Sequence, residues 1–313
     1  MIVTVTLNPA VDKSASVHQV QPDRKLRCSA PSHEPGGGGI NVARAVKKLG
    51  GKAATVWMKG GPTGERLRKL LEAEQIDSYP VPFAKDTRQN LTVFEDTTGR
   101  QYRFTMPGPE VKEDEAAGVI EQIKSLNPDF LVLSGSLPPG VPRDFYARIV
   151  KESASSAKVI IDSSGDPLLH GLRAGVFLTK PNLTELRHIA GETVESDSQI
   201  KHAAQAIVRE GQADIVAVSL GSAGAFYVED ECIDRIYAPT VTIKSKVGAG
   251  DSMVAGIVLK LEENWQPKDA VRYGVAAGAA AVMTPGTELC RFQDTEHLFD
   301  QMKIEEELYL ARR

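Results

Sequence analysis

The sequence predicts an α/β fold, with a mostly parallel central sheet, helices on both of its faces, and a small β-sheet attached as a lid. Three observations predict it. Apolar, β-branched runs of strand length recur along the chain; helix-length segments separate them; and two stretches break the alternation with no helix of their own. Runs that are apolar throughout suit strands covered on both faces. Their alternation with helical segments is the pattern of parallel βαβ units.

Taken in order, the first strand is Ile2–Leu7. Helix Gly39–Leu49, strand Ala54–Trp57 and helix Thr63–Glu74 follow. Helix Glu113–Lys124 leads to strand Phe130–Ser134, and helix Arg143–Ser155 to strand Val159–Asp162. Strand Val176–Thr179 precedes helices Thr184–Ala190 and Gln199–Glu210, and strand Ile215–Leu220 precedes helices Ser252–Glu262 and Pro267–Met283. The two exceptions are Asp12 to about Pro35, and Asn90–Phe104, which alternates in period two around Thr97-Thr98-Gly99-Arg100 and so reads as a hairpin. The chain, 1–313, is expected to form one α/β domain whose lid comes from about 12–35 and 88–105. Exposed edges and one apolar face on such a lid would favour pairing with a second copy, giving a homodimer.

Composition narrows the function. Of 313 residues, 42% are hydrophobic and 25% charged, which is ordinary for a globular chain. The net charge is -4 and no Lys/Arg block stands out, so a nucleic-acid partner has no electrostatic support. Cys28, Cys232 and Cys290 form no paired motif, so neither zinc nor a disulfide framework is indicated and reduced thiols are expected. The start reads as a strand rather than a leader, and the longest apolar run, Val275–Met283, is too short to span a bilayer. The expectation is a cytoplasmic protein with no membrane partner.

In open α/β sheets ligands sit beyond the carboxyl ends of the strands, so the loops there are read for chemistry. Lys246-Val-Gly-Ala-Gly-Asp-Ser-Met253 opens an apolar helix. Gly248, Ala249 and Gly250 let backbone N–H groups converge, and the helix dipole adds positive potential, which makes an anion hole. Asp251 beside it reads either as a helix cap or as a base that takes a proton from a hydroxyl attacking a phosphoryl group. Gly36–Gly39 opens a second helix. A dinucleotide fingerprint is disfavoured there because the preceding segment is polar and holds two prolines, and no Gly-Lys-Ser/Thr follows to make a Walker loop. What remains is a flexible loop or, as the functional reading, a glycine platform for a sugar, with Asn41 suited to a hydroxyl. Asn182 and Glu185 have the spacing of a capping box, or Glu185 could orient water around magnesium. Ser219–Gly224, between two strand-like runs, is a turn that could line a nucleotide. Arg88 and Arg103 bracket the hairpin, as surface charges or as a phosphate clamp, and Asp12 makes an Asx turn or accepts from sugar hydroxyls.

Taken together, in this order, the motifs resemble the ribokinase-like (PfkB) carbohydrate kinases, and within them the minor, type 2 phosphofructokinase branch. The most specific stretches are Lys25–Pro31, Glu34–Arg44, Thr87–Asn90, Gln101–Phe104, Ser134–Gly140 and Val247–Met253. The resemblance implies an enzyme that transfers phosphate from ATP to the C1 hydroxyl of fructose 6-phosphate, with Asp251 as base and Gly248, Ala249 and Gly250 as anion hole. It places Asp12, Lys25, Arg27, Gly37, Gly38, Asn41, Arg88, Arg103 and Ser136 on the sugar phosphate. It places Lys180, Asn182, Ser219, Gly221 and Gly224 on ATP, and Glu185 on Mg2+. A potassium ion, held in many relatives by backbone carbonyls, would here lie among Ser245, Val247 and the 281–288 loop with Thr284, Gly286 and Glu288. A dimer through the lid is also implied. Lys246 stands where the nearest relatives have Thr, and Thr284 and Glu288 replace Asn and Arg. Asn8-Pro9-Ala10 is similar to the 1-phosphofructokinase and tagatose-6-phosphate kinase branch, whereas Arg103 points back to fructose 6-phosphate. A non-catalytic sugar-phosphate regulator is the rival from another class, and the intact Gly-Ala-Gly-Asp segment argues against it. A nicotinamide-dependent oxidoreductase lacks its strand–Gly-x-Gly-x-x-Gly–helix unit.

Overall fold

The structure is a computed structural model that describes residues 1–153, 155–230, 232–286 and 288–310, with side chains described to residue 304. Its strands are β1 (Ile2–Thr6), β2 (Ala10–Val17), β3 (Ser32–Gly36), β4 (Ala53–Lys59), β5 (Asp77–Pro82), β6 (Arg88–Glu95), β7 (Gln101–Phe104), β8 (Phe130–Ser134), β9 (Lys158–Asp162), β10 (Val176–Thr179), β11 (Ala213–Ser219), β12 (Ala225–Glu229) and β13 (Cys232–Ile236). Its helices are α1 (Gly38–Lys48), α2 (Gly61–Ala73), α3 (Glu113–Leu126), α4 (Phe145–Ser153), α5 (Gly165–Arg173), α6 (Leu183–Ala190), α7 (Asp197–Arg209), α8 (Ala249–Glu262), α9 (Pro267–Val282) and α10 (Phe292–Leu310).

A nine-stranded sheet runs in the order β13-β12-β11-β10-β9-β8-β1-β4-β5. It is parallel from β5 to β11, and β12 and β13 turn back antiparallel at one edge. The alternation of side chains across the strands divides the core. Val3, Val5, Leu131, Leu133, Val216 and Val218 enter one apolar layer with α3, α4 and α7, while Ile2, Phe130, Val132, Ile215 and Ala217 enter the other with α1, α8, α9 and α10. Both faces being covered explains why these strands read as unbroken apolar runs.

The second sheet has four strands in the order β3-β2-β6-β7. β2 pairs antiparallel with β3 and parallel with β6, and β6 and β7 form the expected hairpin. Register puts Asp12 opposite Asn90 and Glu34, Ala10 opposite Arg88, and Thr92 opposite Arg103, so Asp12, Arg88, Asn90 and Arg103 share one face of this sheet. The opposite face contributes Val11 to a small apolar cluster with Ile40, Ala43, Trp57, Leu67, Leu71 and Ile76, which anchors the sheet on the core.

The predicted strands and helices are all present, with ends moved by up to three residues. The structure adds β5, α5, β13 and α10, and starts β2 at Ala10 rather than 12. It also makes Ser32–Gly36 a strand, though one of the small sheet and not of the parallel core. Two expectations reach beyond the described residues, at Ala154 in the fourth helix and at Thr287 in the cation loop.

Candidate active site

The site is built where β1, β8, β9, β10 and β11 end, between the N-termini of α1 and α8. Helix α1 approaches the sheet closely. A methyl group on Gly39 would lie 2.7 Å from the Val5 carbonyl carbon and from Thr6 Oγ1, and one on Gly38 would strike the Ser134 hydroxyl. Thr6 Oγ1 accepts from Ile40 N at 2.8 Å, so the strand caps the helix that Gly37 leaves without a side-chain cap. This contact brings Asn41, 7% exposed, to the mouth of the sheet.

Helix α8 begins at Ala249, three residues earlier than the sequence predicts, and its N-cap is Gly248 in the left-handed region at φ 75°. Asp251 is therefore inside the first turn, and no side chain caps this helix. The cap reading of Asp251 fails for that reason. Its carboxyl instead accepts from Asn41 Nδ2 at 2.9 Å, across from α1. Burial pushes the Asp251 pKa up to about 6; the Asp162 charge adds to the rise, while the Asn41 hydrogen bond and Lys180 oppose it. A base near 6 is better matched to neutral pH than one near 3.8. Were Asp251 to serve as a base in its ionised form, kcat/KM would fall about tenfold per pH unit below about 6, a slope that a pH–rate profile of the free enzyme reads directly.

Lys180, at the end of β10, is buried and paired with Asp162 at 3.1 Å. Burial works against its charge, but Asp162, Glu185 and Asp251 together more than offset this and raise its pKa. A side-chain carbon on Gly250 would sit 3.6 Å from Lys180 Nζ, so the ammonium lies against the glycine turn of α8. Asp162 is a site residue that sequence reading did not single out. Its signal was present, since an acid closing a buried parallel strand stands where ligands bind.

Asn182 and Glu185 form the capping box. Asn182 Oδ1 accepts from Thr184 N at 2.8 Å and Glu185 N at 3.0 Å, and Glu185 Oε2 accepts from Asn182 N at 2.8 Å. Glu185 is half-buried, and burial, with the nearby Asp162 charge, raises its pKa. Two carboxylates that repel each other beside a lysine fit a divalent cation, which would relieve that repulsion. Ser219 adjoins this turn, its N–H donating to the Pro181 carbonyl at 2.8 Å. Gly221 starts a short 3-10 turn that Gly224 ends, and Leu220 N–H closes it on the Gly224 carbonyl at 2.8 Å. Lys180, Asn182, Ser219, Gly221 and Gly224 thus line the adjoining ends of β10 and β11.

On the other side of Asp251 stands the small sheet. Asp12 packs on Gly36 and accepts from Asn90 Nδ2 at 2.8 Å. Arg88 Nη2 donates to the Asn8 carbonyl at 2.8 Å and Nη1 to the Met106 carbonyl at 2.9 Å. Asn8 Nδ2 reaches Ser136 Oγ at 3.1 Å, which ties the first loop to the turn after β8. Arg103 is exposed on the Asp12 face, and Lys25 and Arg27 lie in the exposed loop between β2 and β3; among the described residues none of the three side chains makes a hydrogen bond or ion pair. The residues expected around a potassium ion also lie together. Ser245 Oγ donates to the Gly286 carbonyl at 2.9 Å, Val247 N donates to Ser245 Oγ at 3.2 Å, and the single Thr284 Oγ1 hydrogen lies between the Ala281 and Leu289 carbonyls, at 2.8 and 3.0 Å. Glu288 turns away to Arg291 at 2.7 Å.

An acid at a cluster of helix amides, a buried lysine and a pair of carboxylates beside a glycine platform define a phosphoryl-transfer site on a doubly wound sheet. The sequence profile of the pfkB family carbohydrate kinases matches residues 2–294, and the chain belongs to that family. The ATP-dependent 6-phosphofructokinase isozyme 2 of Escherichia coli (strain K12) is 43% identical over 301 residues, covering 95% of this chain and 97% of that protein. The crystal structure of phosphofructokinase-2 from Escherichia coli in complex with potassium superposes with a TM-score of 0.94 at 42% identity, covering 96% and 99% of the two chains. A 1-phosphofructokinase of Borreliella burgdorferi is 32% identical over 308 residues, covering 98% and 99%. The chain is accordingly a carbohydrate kinase of the ribokinase-like fold.

Proposed function

We propose that this kinase transfers the γ-phosphoryl group of ATP to the C1 hydroxyl of fructose 6-phosphate, giving ADP and fructose 1,6-bisphosphate. The observation that carries the reading is Asp251, held by Asn41 within the first turn of α8, beside the amides of the glycine turn and the buried Lys180. Asp251 takes the C1 hydroxyl proton as the oxygen bonds to phosphorus and the bond to the ADP oxygen breaks. Asn41, donating to one carboxylate oxygen, orients the other toward the hydroxyl. The amides of Ala249 and Gly250, together with Lys180, face the charge on the migrating group. Lys180, Asn182, Ser219, Gly221 and Gly224 line the nucleotide side. Asp12, Gly37, Gly38, Asn41 and Ser136 hold the sugar, and Arg88, Arg103, Lys25 and Arg27 its phosphate. Glu185 would hold Mg2+, which when bound neutralises phosphate oxygens. Backbone carbonyls around Ser245, Val247 and the loop of Thr284, Gly286 and Glu288 would hold K+.

The small sheet serves as the lid. Its outer strands β3 and β7 and its exposed Leu26, Phe104 and Met106 favour pairing with a second copy, as a homodimer. No helix among the described residues is long and apolar enough to cross a membrane, and the unpaired thiols of Cys28, Cys232 and Cys290 suit a cytoplasmic location.

A coupled assay of ADP release with fructose 6-phosphate, fructose 1-phosphate and tagatose 6-phosphate tests the substrate. Fructose 6-phosphate is expected to give the highest kcat/KM. A preference for fructose 1-phosphate would move the chain to the neighbouring branch, and turnover with none of the three would leave a sugar-phosphate-binding regulator.

A further inference from the structure

We infer that Arg44 is a positioning residue for the transfer: by donating to the Asn41 side-chain carbonyl it fixes that amide with its NH2 group toward Asp251. The inference rests on Asp251 being the base of the proposed reaction.

Arg44 lies three residues after Asn41 on α1, on the same face, and is only 4% exposed. Its Nε and Nη2 grip the two carboxylate oxygens of Glu74, both at 2.7 Å, at the C-cap of α2. Its remaining arm, Nη1, donates to the Pro35 carbonyl at 3.1 Å and to Asn41 Oδ1 at 3.4 Å. A guanidinium has donors only, whereas the two ends of an amide differ. The Asn41 carbonyl must therefore face Arg44, which leaves Nδ2 for Asp251 at 2.9 Å. Rotated by half a turn, the amide would set NH2 against guanidinium and its oxygen against the ionised carboxyl. Both contacts would repel, so Arg44 and Asp251 select a single orientation between them.

The forked pair with Glu74 keeps the guanidinium plane from turning. Half-buried Glu34 lies close enough for its charge to interact with Arg44, Glu74 and Asp12, and its Oε2 has no hydrogen-bond partner among the described residues. Burial makes that carboxyl harder to ionise, and the guanidinium opposes this. Through the Pro35 carbonyl, the same arm also holds the end of β3, next to the glycine platform. One side chain thus ties α2, the small sheet and the Asn41–Asp251 hydrogen bond. The resulting line, Glu74–Arg44–Asn41–Asp251, runs from the rim of the molecule to the reacting carboxyl.

Removing Arg44 alone would strand Glu74, so the test replaces both charges with the Arg44→Gln/Glu74→Gln variant. Its kcat on fructose 6-phosphate is expected to fall about tenfold or more, the scale of a misplaced catalytic group, with the KM for ATP unchanged. Adding Asn41→Ala to that variant should cost no more than Asn41→Ala alone, because both remove the same hydrogen bond to Asp251. Arg44→Lys keeps a cation beside Glu74 but loses the second arm, and the same fall in kcat is expected of it should the double variant fail to fold. Parental kcat in either folded variant, or losses that multiply with Asn41→Ala, would reduce Arg44 to a structural ion pair. An Asp251→Asn enzyme that still turned over would remove the base itself. An inactive Asp251→Asn beside a fully active Arg44 variant would remove this inference alone.

Discussion

Asp251→Asn is expected to lower kcat by at least ~10²-fold, the usual scale for losing a general base, while leaving the KM values for ATP and sugar phosphate near those of the parent. The amide is nearly the same shape and can still accept from Asn41, so the pocket keeps its form; what it loses is the capacity to take the hydroxyl proton. The same substitution should make the protein more stable at pH 7. The folded pKa of about 6 exceeds the ordinary 3.8, so stability linked to this group is full below about 3.8 and is lost as the pH rises through about 6. Ionising Asp251 in the folded chain thus costs on the order of 2–3 kcal/mol at neutral pH, and a neutral side chain avoids that cost. Steady-state kinetics together with thermal melts at pH 7 and pH 4 check both halves. An inactive variant that melts higher than the parent at pH 7, with the gap closing near pH 4, is the expected outcome; near-parental turnover would remove Asp251 from its role.

Gly39→Ala is the second large effect. Its new methyl would meet the Val5 carbonyl and lie 2.7 Å from Thr6 Oγ1, and the carbonyl belongs to β1, an inner strand held between β8 and β4, which cannot yield. Helix α1 must therefore lift from β1. Overpacking of this kind costs about 1–3 kcal/mol, enough to lower the melting temperature by several degrees. Activity should suffer more than stability. Asn41 lies two residues further on, and a shift of about 1 Å at a group that orients the base can cost ~10²-fold in rate. Denaturant titration and kcat measured on one preparation separate the two effects. A variant as stable and as active as the parent would show that the glycine run is a flexible loop after all.

Much of this site is legible in the sequence, for a physical reason. Its pieces are local: a glycine turn before an acid, a capping box after a strand, a glycine run opening a helix. Each leaves a pattern within a few residues, and the parallel fold then places them all at one end of the sheet. What cannot be read is what depends on contacts distant in sequence. Asp251 and Asn41 are 210 positions apart. No local pattern shows that Asn41 takes the carboxyl away from a capping role, nor that burial and Asp162 lift its pKa. Strand β5 escapes because its Asp-Ser-Tyr-Pro-Val-Pro sequence holds two prolines; it sits at the sheet edge, where a missing donor costs least. The lid region 12–35 stands out as a break in the alternation, but the strand Ser32–Gly36 within it does not, for a related reason. It is polar and holds a proline, and it becomes a strand only because β2 offers it an edge.

The parallel pairing of β2 with β6 bears on how the chain assembles. Strands β3, β4 and β5 and helices α1 and α2 all intervene between these two neighbours. A parallel pair cannot form by a tight reversal, so the whole intervening segment must close as a loop before the first bond of that seam is made. Contacts this remote in sequence are slow to form. The β6–β7 hairpin needs no such closure and can zip up early, but it stays undocked until α1, β4 and α2 have packed. Asp12 on β2 and Arg88 and Asn90 on β6 therefore share one face only once this remote seam has closed.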